Sequence, residues 1–395
     1  METTPLMKDA VIGRRTAVLM TVLFSGVILI PALDQAGVEM RGTGRWRFLS
    51  LFRETPTHES LRRFEDDLAS DSRLARKVRT VYQTALAVAF RAGNEKIVLG
   101  EDGFLFLRKE IDMATGPGFL ARRPAARRGT GEGREDRKAS DPVAAIIDYE
   151  RQLSARGIRL IFVPLPCKPA LYPEKVWAGY PVSAGPACNR DRAPFRAALS
   201  AEGVDVFDPT DDLWNSKEGG DLFLKQDTHW TPRGMELVAG WIADRLKAIV
   251  GPSQAAYPTV RRQACHDGDL LRMIEVLPRS GLFPPQTVDL AAVTDKGGDD
   301  APVLLLGDSF SNVYSRKELE WGEGAGLGEQ IMHRLGVPVQ ILALNGGGAT
   351  AVRELLTRRP SALKGKKAVV WACSSRDLFD EGVIWDKVPI PDLPP

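Results

Sequence analysis

Histidine and cysteine are scarce, four of each in 395 residues, and neither charge sign predominates. Lys and Arg total 53 and Asp and Glu 51, a net charge of +2. A dedicated nucleic-acid binder normally carries a large basic excess, so that class is excluded. Four cysteines without a C-x-x-C pair rule out a multi-zinc or disulfide-dense scaffold. Hydrophobic residues make up 44% and charged residues 26%, which excludes wholesale disorder and a multi-span membrane protein. The length allows two domains, or one large α/β domain with additions.

Only one long uncharged run is present, from Thr16 to Leu33, preceded by Arg14 and Arg15 and followed by Asp34. A membrane-spanning helix needs about 20 apolar residues, so this run is near the minimum. Arginines on its N-terminal side predict a cytoplasmic N-terminus and export of the remainder. A cleaved signal peptide is the competing reading. The run exceeds the usual apolar core of about 7–15 residues and no A-x-A site follows, which favours an uncleaved anchor. Export places Cys167, Cys188, Cys265 and Cys373 in an oxidising compartment, where one or two disulfides of undetermined pairing are expected.

The organisation predicted is a cytoplasmic N-terminus (1–15), an anchor (16–33), a helical region (34–95) and an α/β domain (96–395). The helical region carries apolar residues at helical spacing from Leu61 through Val78 and Val81 to Phe90. A mobile loop is expected within 112–141, because Ala121–Lys138 holds seven basic and three acidic residues and no apolar periodicity. Its local charge of +4 would attract an acidic polymer, or serve only to solvate the loop. Helices are expected over Pro142–Arg156, Pro194–Ala201 and Pro232–Val250. Strands are expected over Ile158–Pro164, Val204–Asp208, Val303–Leu306, Val339–Leu344 and Ala368–Trp371. Apolar runs without alternation suit strands buried on both faces, so the fold class is an open parallel α/β sheet with helices on both faces.

In such sheets ligands bind beyond the carboxyl ends of the strands. Three polar clusters lie there: Gly307-Asp308-Ser309, Asn345-Gly346-Gly347-Gly348, and Ser374-Ser375-Arg376. A nucleophilic serine needs a base. His58 and His333 lie in helical stretches and His266 in a polar turn beside Cys265, a neighbourhood that does not make a metal pair. His229 stands two residues after Asp227, in a turn before the helix opening at Pro232. A carboxylate at that spacing can fix the imidazole tautomer and leave Nε2 free for a serine proton. The competing reading makes Asp227 or Thr228 a helix cap and His229 a surface residue.

Leu304–Ser311 (LLLGDSFS) together with Lys225–Gly234 (KQDTHWTPRG) resembles the SGNH-hydrolase-like domain of periplasmic alginate O-acetyltransferases. So do Gly100–Leu107 (GEDGFLFL, with Phe104 where tryptophan is usual), Ile158–Pro173, Gly268–Ile274 and Val369–Phe379, in the family's order. The resemblance implies a catalytic triad of Ser309, His229 and Asp227. The order Asp, His, Ser is permuted relative to ordinary SGNH esterases, as in the acetyltransferases. The Gly-x-Asn-Asp block, whose asparagine completes the oxyanion hole, is missing here, and Ser374, Ser375 or Arg376 could substitute. The oxyanion hole is assigned to Ser309, Gly348 and Ser375, and substrate binding to Arg376, Asn345 and Lys168. No metal and no cofactor is expected.

The activity this implies is transfer of acetyl groups, through an acetyl-serine, onto hydroxyls of an exopolysaccharide or cell-wall glycan. An integral-membrane acyltransferase would supply the acetyl groups, and the anchor would hold the chain in the inner membrane on the periplasmic side. Two rivals stand beside it: a carbohydrate acetylesterase using the same three residues, and a non-catalytic glycan-binding subunit of a secretion complex. For the latter, Trp177, Trp214 and Trp321 are candidates to stack on sugars, but are expected to be partly buried packing residues.

Overall fold

Five of the apolar runs pair side by side. They are β3 (Arg159–Leu165), β4 (Asp205–Val206), β7 (Val303–Gly307), β8 (Val339–Ala343) and β9 (Ala368–Ser374). They form one parallel sheet in the order β4-β3-β9-β7-β8. A computed structural model describes residues 13–41, 55, 57–120, 141–251, 253, 255–277, 281–295, 297–380 and 383–391. These fall into two units, Met1–Ala85 with Glu275–Leu277, and Leu86–Ile274 with Pro278–Pro395.

The sheet belongs to the second unit, and successive side chains feed two separate cores because they point to opposite faces. One face carries Ile161, Val163, Val303, Leu305, Val370 and Ala372, packed with Met235, Val238, Ile242 and Leu246 of helix Pro232–Val250. The other carries Leu160, Phe162, Leu304, Leu306, Val369 and Trp371. It packs with Ile146 and Tyr149 of helix Pro142–Ser154, Leu199 of helix Arg192–Ala201, and Val352 of helix Gly348–Thr357. Helices therefore cover both faces of the parallel sheet, as the apolar runs predict. Proline at N1 and a Thr231 side chain accepting from the Gly234 amide start helix Pro232–Val250.

Two shorter pieces join this frame. Strands β1 (Ile97–Leu99) and β2 (Leu105–Leu107) form an antiparallel pair around a tight turn, and helix Arg108–Thr115 follows directly. Strands β5 (Thr259–His266) and β6 (Gln286–Val293) make an antiparallel ribbon that the sequence did not reveal. The expected loop within 112–141 is shortened at its start, since helix Arg108–Thr115 occupies the first positions. Its charged centre, including Arg122–Arg128, lies outside the described residues.

The first unit contains helices Arg14–Arg41 and His58–Asp71 and most of Arg73–Phe90. Val78 and Val81, expected from their spacing to share an apolar face, are both more than half exposed. Among the described residues no helix is long and apolar enough to cross a membrane, so the expected anchor is not supported. The uncharged run falls short of the about 20 residues a span requires, and its helix continues into Asp34 and Glu39.

Two further expectations are corrected. All four cysteines are free thiols: Cys373 is packed inside the sheet, and Cys265 is exposed on the ribbon. Trp177 is not a packing residue but is 64% exposed, whereas Trp321 is fully buried.

Candidate active site

Residues that leave the carboxyl ends of β7 and β9 are fastened to each other by one side chain. Asp308 caps the single turn Ser309–Asn312 through Oδ1, which accepts from the Phe310 amide at 2.8 Å. Its Oδ2 accepts from the Ser374 amide at the end of β9, also at 2.8 Å. Glycine is required just before, because a Cβ on Gly307 would overlap Ser311. Ser309 therefore sits, half-buried, at a sharp strand-to-helix turn beside the centre of the sheet.

The histidine arrives on a tight loop closed by the bridge between Phe223 and Trp230. Leu224 N donates to the His229 carbonyl at 3.0 Å and Thr231 N to the Leu222 carbonyl at 2.9 Å. Within this loop His229 Nδ1 lies 2.6 Å from Asp227 Oδ1, which also accepts from the His229 amide at 3.0 Å. Asp227 Oδ2 accepts from Trp321 Nε1 at 2.8 Å and from the Asp269 amide at 3.0 Å. Burial alone would raise the Asp227 pKa, but the His229 charge and these donors hold it well below the carboxylate range. Burial opposes charge on His229 too. Asp227, helped by Asp269 and opposed by Arg376, nevertheless raises its pKa above the ordinary 6.5.

The two turns are stitched together around the imidazole. The His229 ring packs on the ring of Phe310, the residue after Ser309, with centroids 4.9 Å apart. Trp230 Nε1 donates to the Phe310 carbonyl at 3.1 Å, and Tyr314 Oη donates to the Trp230 carbonyl at 2.6 Å. His229 Nε2 is buried and has no hydrogen-bond partner. The Asp227–His229 half of the expected triad is thus hydrogen-bonded. Ser309 lies one residue from the ring that packs on the imidazole, but makes no hydrogen bond to Nε2.

The other expected residues disperse. Gly348 begins its helix with φ +66°, and its open side faces Val383. Asn345 is exposed and accepts from Asn312 Nδ2 at 2.9 Å. Ser375 is buried against a small cavity of about 30 Å³ that Met113, Phe119, Cys167 and Cys188 also line and no triad residue touches. Lys168, expected at a substrate, is fully buried and donates to the carbonyls of Leu105 (2.7 Å) and Lys225 (3.1 Å). Its role is to brace β2 against the loop bearing Asp227, and burial lowers its pKa to about 8. Arg376 keeps a 26% exposed side chain and pairs with Glu110 at 3.2 Å. Among the described residues none of the remaining histidines is paired with a serine, and His266 packs on the Trp321 ring. His58 is exposed, His333 meets the Tyr257 carbonyl, and His266 pairs with Glu320.

Asp269 and Trp321 were not anticipated. Asp269 lies in the Gly268–Ile274 segment, but a lone acid there carries no signal of its partner. Its oxygens accept from the amide and hydroxyl of Thr228. Ligand atoms of Asp227, His229 and Asp269 lie within 4.8 Å of one another, a spacing a metal ion could use. Protein N–H and O–H donors already occupy the carboxylate oxygens, so the trio is built as an orienting network for His229.

The parallel sheet carries a serine turn at the end of β7, and the buried Asp227–His229 pair packs against that turn through Phe310. The family model for the SGNH hydrolase-like domain of acetyltransferase AlgX matches residues 97–374, and the chain belongs to that family. It is 30% identical over 235 residues to the probable alginate O-acetylase AlgJ of Pseudomonas aeruginosa, covering 56% of this chain and 54% of that protein. To the protein of the same name from Pseudomonas fluorescens it is 29% identical over 237 residues, 56% of this chain and 55% of that one. The chain thus spans about half the length of these relatives. The solved O-acetyltransferase domain of Pseudomonas putida AlgJ aligns with a TM-score of 0.52 at 22% identity, over 71% of this chain and 91% of that one. Pseudomonas aeruginosa AlgX aligns at 0.51 and 17%, over 76% and 69%. At these identities the likeness to both structures is one of fold.

Proposed function

We propose that this protein is an O-acetyltransferase that moves acetyl groups through an acetyl-serine at Ser309 onto hydroxyls of an extracellular polysaccharide. The observation that carries the reading is the buried Asp227–His229 pair, hydrogen-bonded at 2.6 Å, with Nε2 partnerless beside the Ser309 turn. Asp227 fixes the tautomer, so Nε2 takes the Ser309 proton as Oγ bonds to the acetyl carbon. The proton passes to the leaving group, which departs with its bonding electrons. A sugar hydroxyl then attacks the acetyl-serine, giving its proton to His229, and Ser309 recovers that proton as the ester breaks. The names of the relatives, alginate O-acetylases, support acetyl transfer as the chemistry.

Location and partners belong to the same proposal. The uncharged run behind Arg14 and Arg15 supports export to the periplasm. There the acetyl groups would come from an integral-membrane acyltransferase and pass to a polysaccharide acceptor.

The test is turnover of an activated acetyl ester by the full chain, with and without oligosaccharide acceptors. Wild type should give acetylated sugar, and Ser309→Ala and His229→Ala should each lose on the order of 10³-fold or more in kcat. Free acetate alone across a broad acceptor panel would make the protein an esterase. Unchanged activity in Ser309→Ala would remove the serine mechanism.

A further inference from the structure

Glu110 is fully buried on helix Arg108–Thr115, and nothing in the mechanism above uses it. One carboxylate oxygen accepts from Arg376 Nη1 at 3.2 Å, and the other is buried with no hydrogen-bond partner. Enclosing an acid in the interior costs several kcal/mol, and an apolar residue would fill the same space without that cost. The acid is nevertheless set among two cations, Arg376 and the fully buried Lys168, whose charges both act on it. The result is an arginine held at one edge of its guanidinium, with the side chain still 26% exposed.

Arg376 is tied to the candidate active site through the backbone that leaves β9. It lies just past β9, two residues after Ser374, whose amide binds Asp308 in the Ser309 turn. Asp308 and Asp269 act on its charge, and its charge in turn opposes that of His229. The Ser374 hydroxyl is buried without a partner, and Ser375 lines the small cavity beside Cys167 and Cys188. Among the described residues the Arg376 guanidinium donates no hydrogen bond apart from that to Glu110, so N–H donors remain on it.

We infer that Glu110 is a positioning residue that holds Arg376, and that Arg376 is the side-chain donor to the acetyl oxygen when Ser309 adds to the carbonyl. This rests on the acetyl-transfer reading above. In the step, a Ser309 Oγ lone pair forms the bond to carbon, and the carbonyl π electrons move to oxygen. The serine proton goes to His229 Nε2, and Arg376 donates to the new oxyanion while staying cationic. The negative charge returns to re-form the carbonyl as the leaving group departs. Arginine at this position would take the place of the asparagine of the Gly-x-Asn-Asp block, which this chain lacks.

Steady-state turnover of an activated acetyl ester by the full chain tests the assignment in Arg376→Gln, Arg376→Ala, Glu110→Gln and Ser309→Ala. Loss of an oxyanion donor removes about 10²–10³-fold from kcat, so that loss is expected in Arg376→Gln with KM changed less than about threefold. Added guanidinium ion should restore part of the kcat of Arg376→Ala, a response that damaged packing would not give. Glu110→Gln, nearly isosteric, should lower kcat by about tenfold through a loosened Arg376. If either Arg376 variant fails to fold, folded Glu110→Gln with wild-type kcat overturns the inference. So does a wild-type kcat in Arg376→Gln while Ser309→Ala is inactive, which leaves acetyl transfer standing. A raised KM for the acceptor alone, with ester turnover unaffected, would make Arg376 an acceptor contact and also overturn it. No turnover by the wild type itself is the separate failure of the acetyl-transfer reading.

Discussion

Asp227 meets four donors with two oxygens: the His229 amide and ring on Oδ1, and the Trp321 indole and Asp269 amide on Oδ2. That saturation keeps it ionised despite burial, and the ionised carboxylate holds the His229 pKa above 6.5. A general base must be neutral to accept a proton, so activity should rise with pH and reach half its plateau above pH 6.5. A pH–rate profile of kcat/KM measures this, and a midpoint below 6.5 would contradict it. The stability effect runs the other way. A group whose folded pKa is raised contributes stability that is fully present below its unfolded pKa, and loses it as pH rises through the folded value. The pH range of activity is therefore the range in which the raised His229 pKa contributes least to folding.

Between elements, the decisive contact is a close approach of two backbones. Gly268, at φ +83°, joins β5 to helix Asp269–Ile274, and a Cβ there would overlap the Gln226 carbonyl next to Asp227. The approach puts the Asp269 amide on Asp227 and the Asp269 carboxylate on Thr228. Gly268→Ala should cost about 1–3 kcal/mol in denaturant unfolding from the strained φ, and at least about tenfold in kcat from a displaced Asp227. Wild-type values of both would show that the loop tolerates the shift. The strands were readable because burial on both faces demands unbroken apolar runs, but pairing set their ends. β9 runs on to Ser374, past the expected end at Trp371, because β3 pairs with it through Leu165. β4 shrinks to two residues at the sheet edge. In the ribbon, β5 gave no signal, since residues 260–263 are exposed in succession and Arg261, Arg262 and Gln263 show no apolar alternation, while β6 alternates only over residues 287–290.

For the whole molecule, export is the property on which the proposed chemistry depends, and the N-terminal segment is where it is tested. A reporter active only outside the cytoplasm, fused after residue 395, should be active. Replacing Leu19, Leu23 and Leu29 with Asp should abolish that activity by more than about tenfold, since each charge in such a run costs about 2.5–3.5 kcal/mol. A reporter silent in the wild type would place the domain in the cytoplasm and remove the periplasmic reading.

Periodicity and punctuation alone determined that this chain builds a parallel α/β sheet with Ser309, His229 and Asp227 at ends and turns of its elements. Side-chain pattern reports what is buried, and short motifs report which chemistry is available at a turn. Neither reports what lies across the sheet. The tertiary structure decided that Asp269 and Trp321 hold Asp227, that Lys168 braces the interior, and that Glu110 meets Arg376 across 266 residues of sequence. Those are long-range contacts between single polar residues. They arise only when folding removes water from both partners, and each residue taken alone in the sequence looks like any other solvated charge.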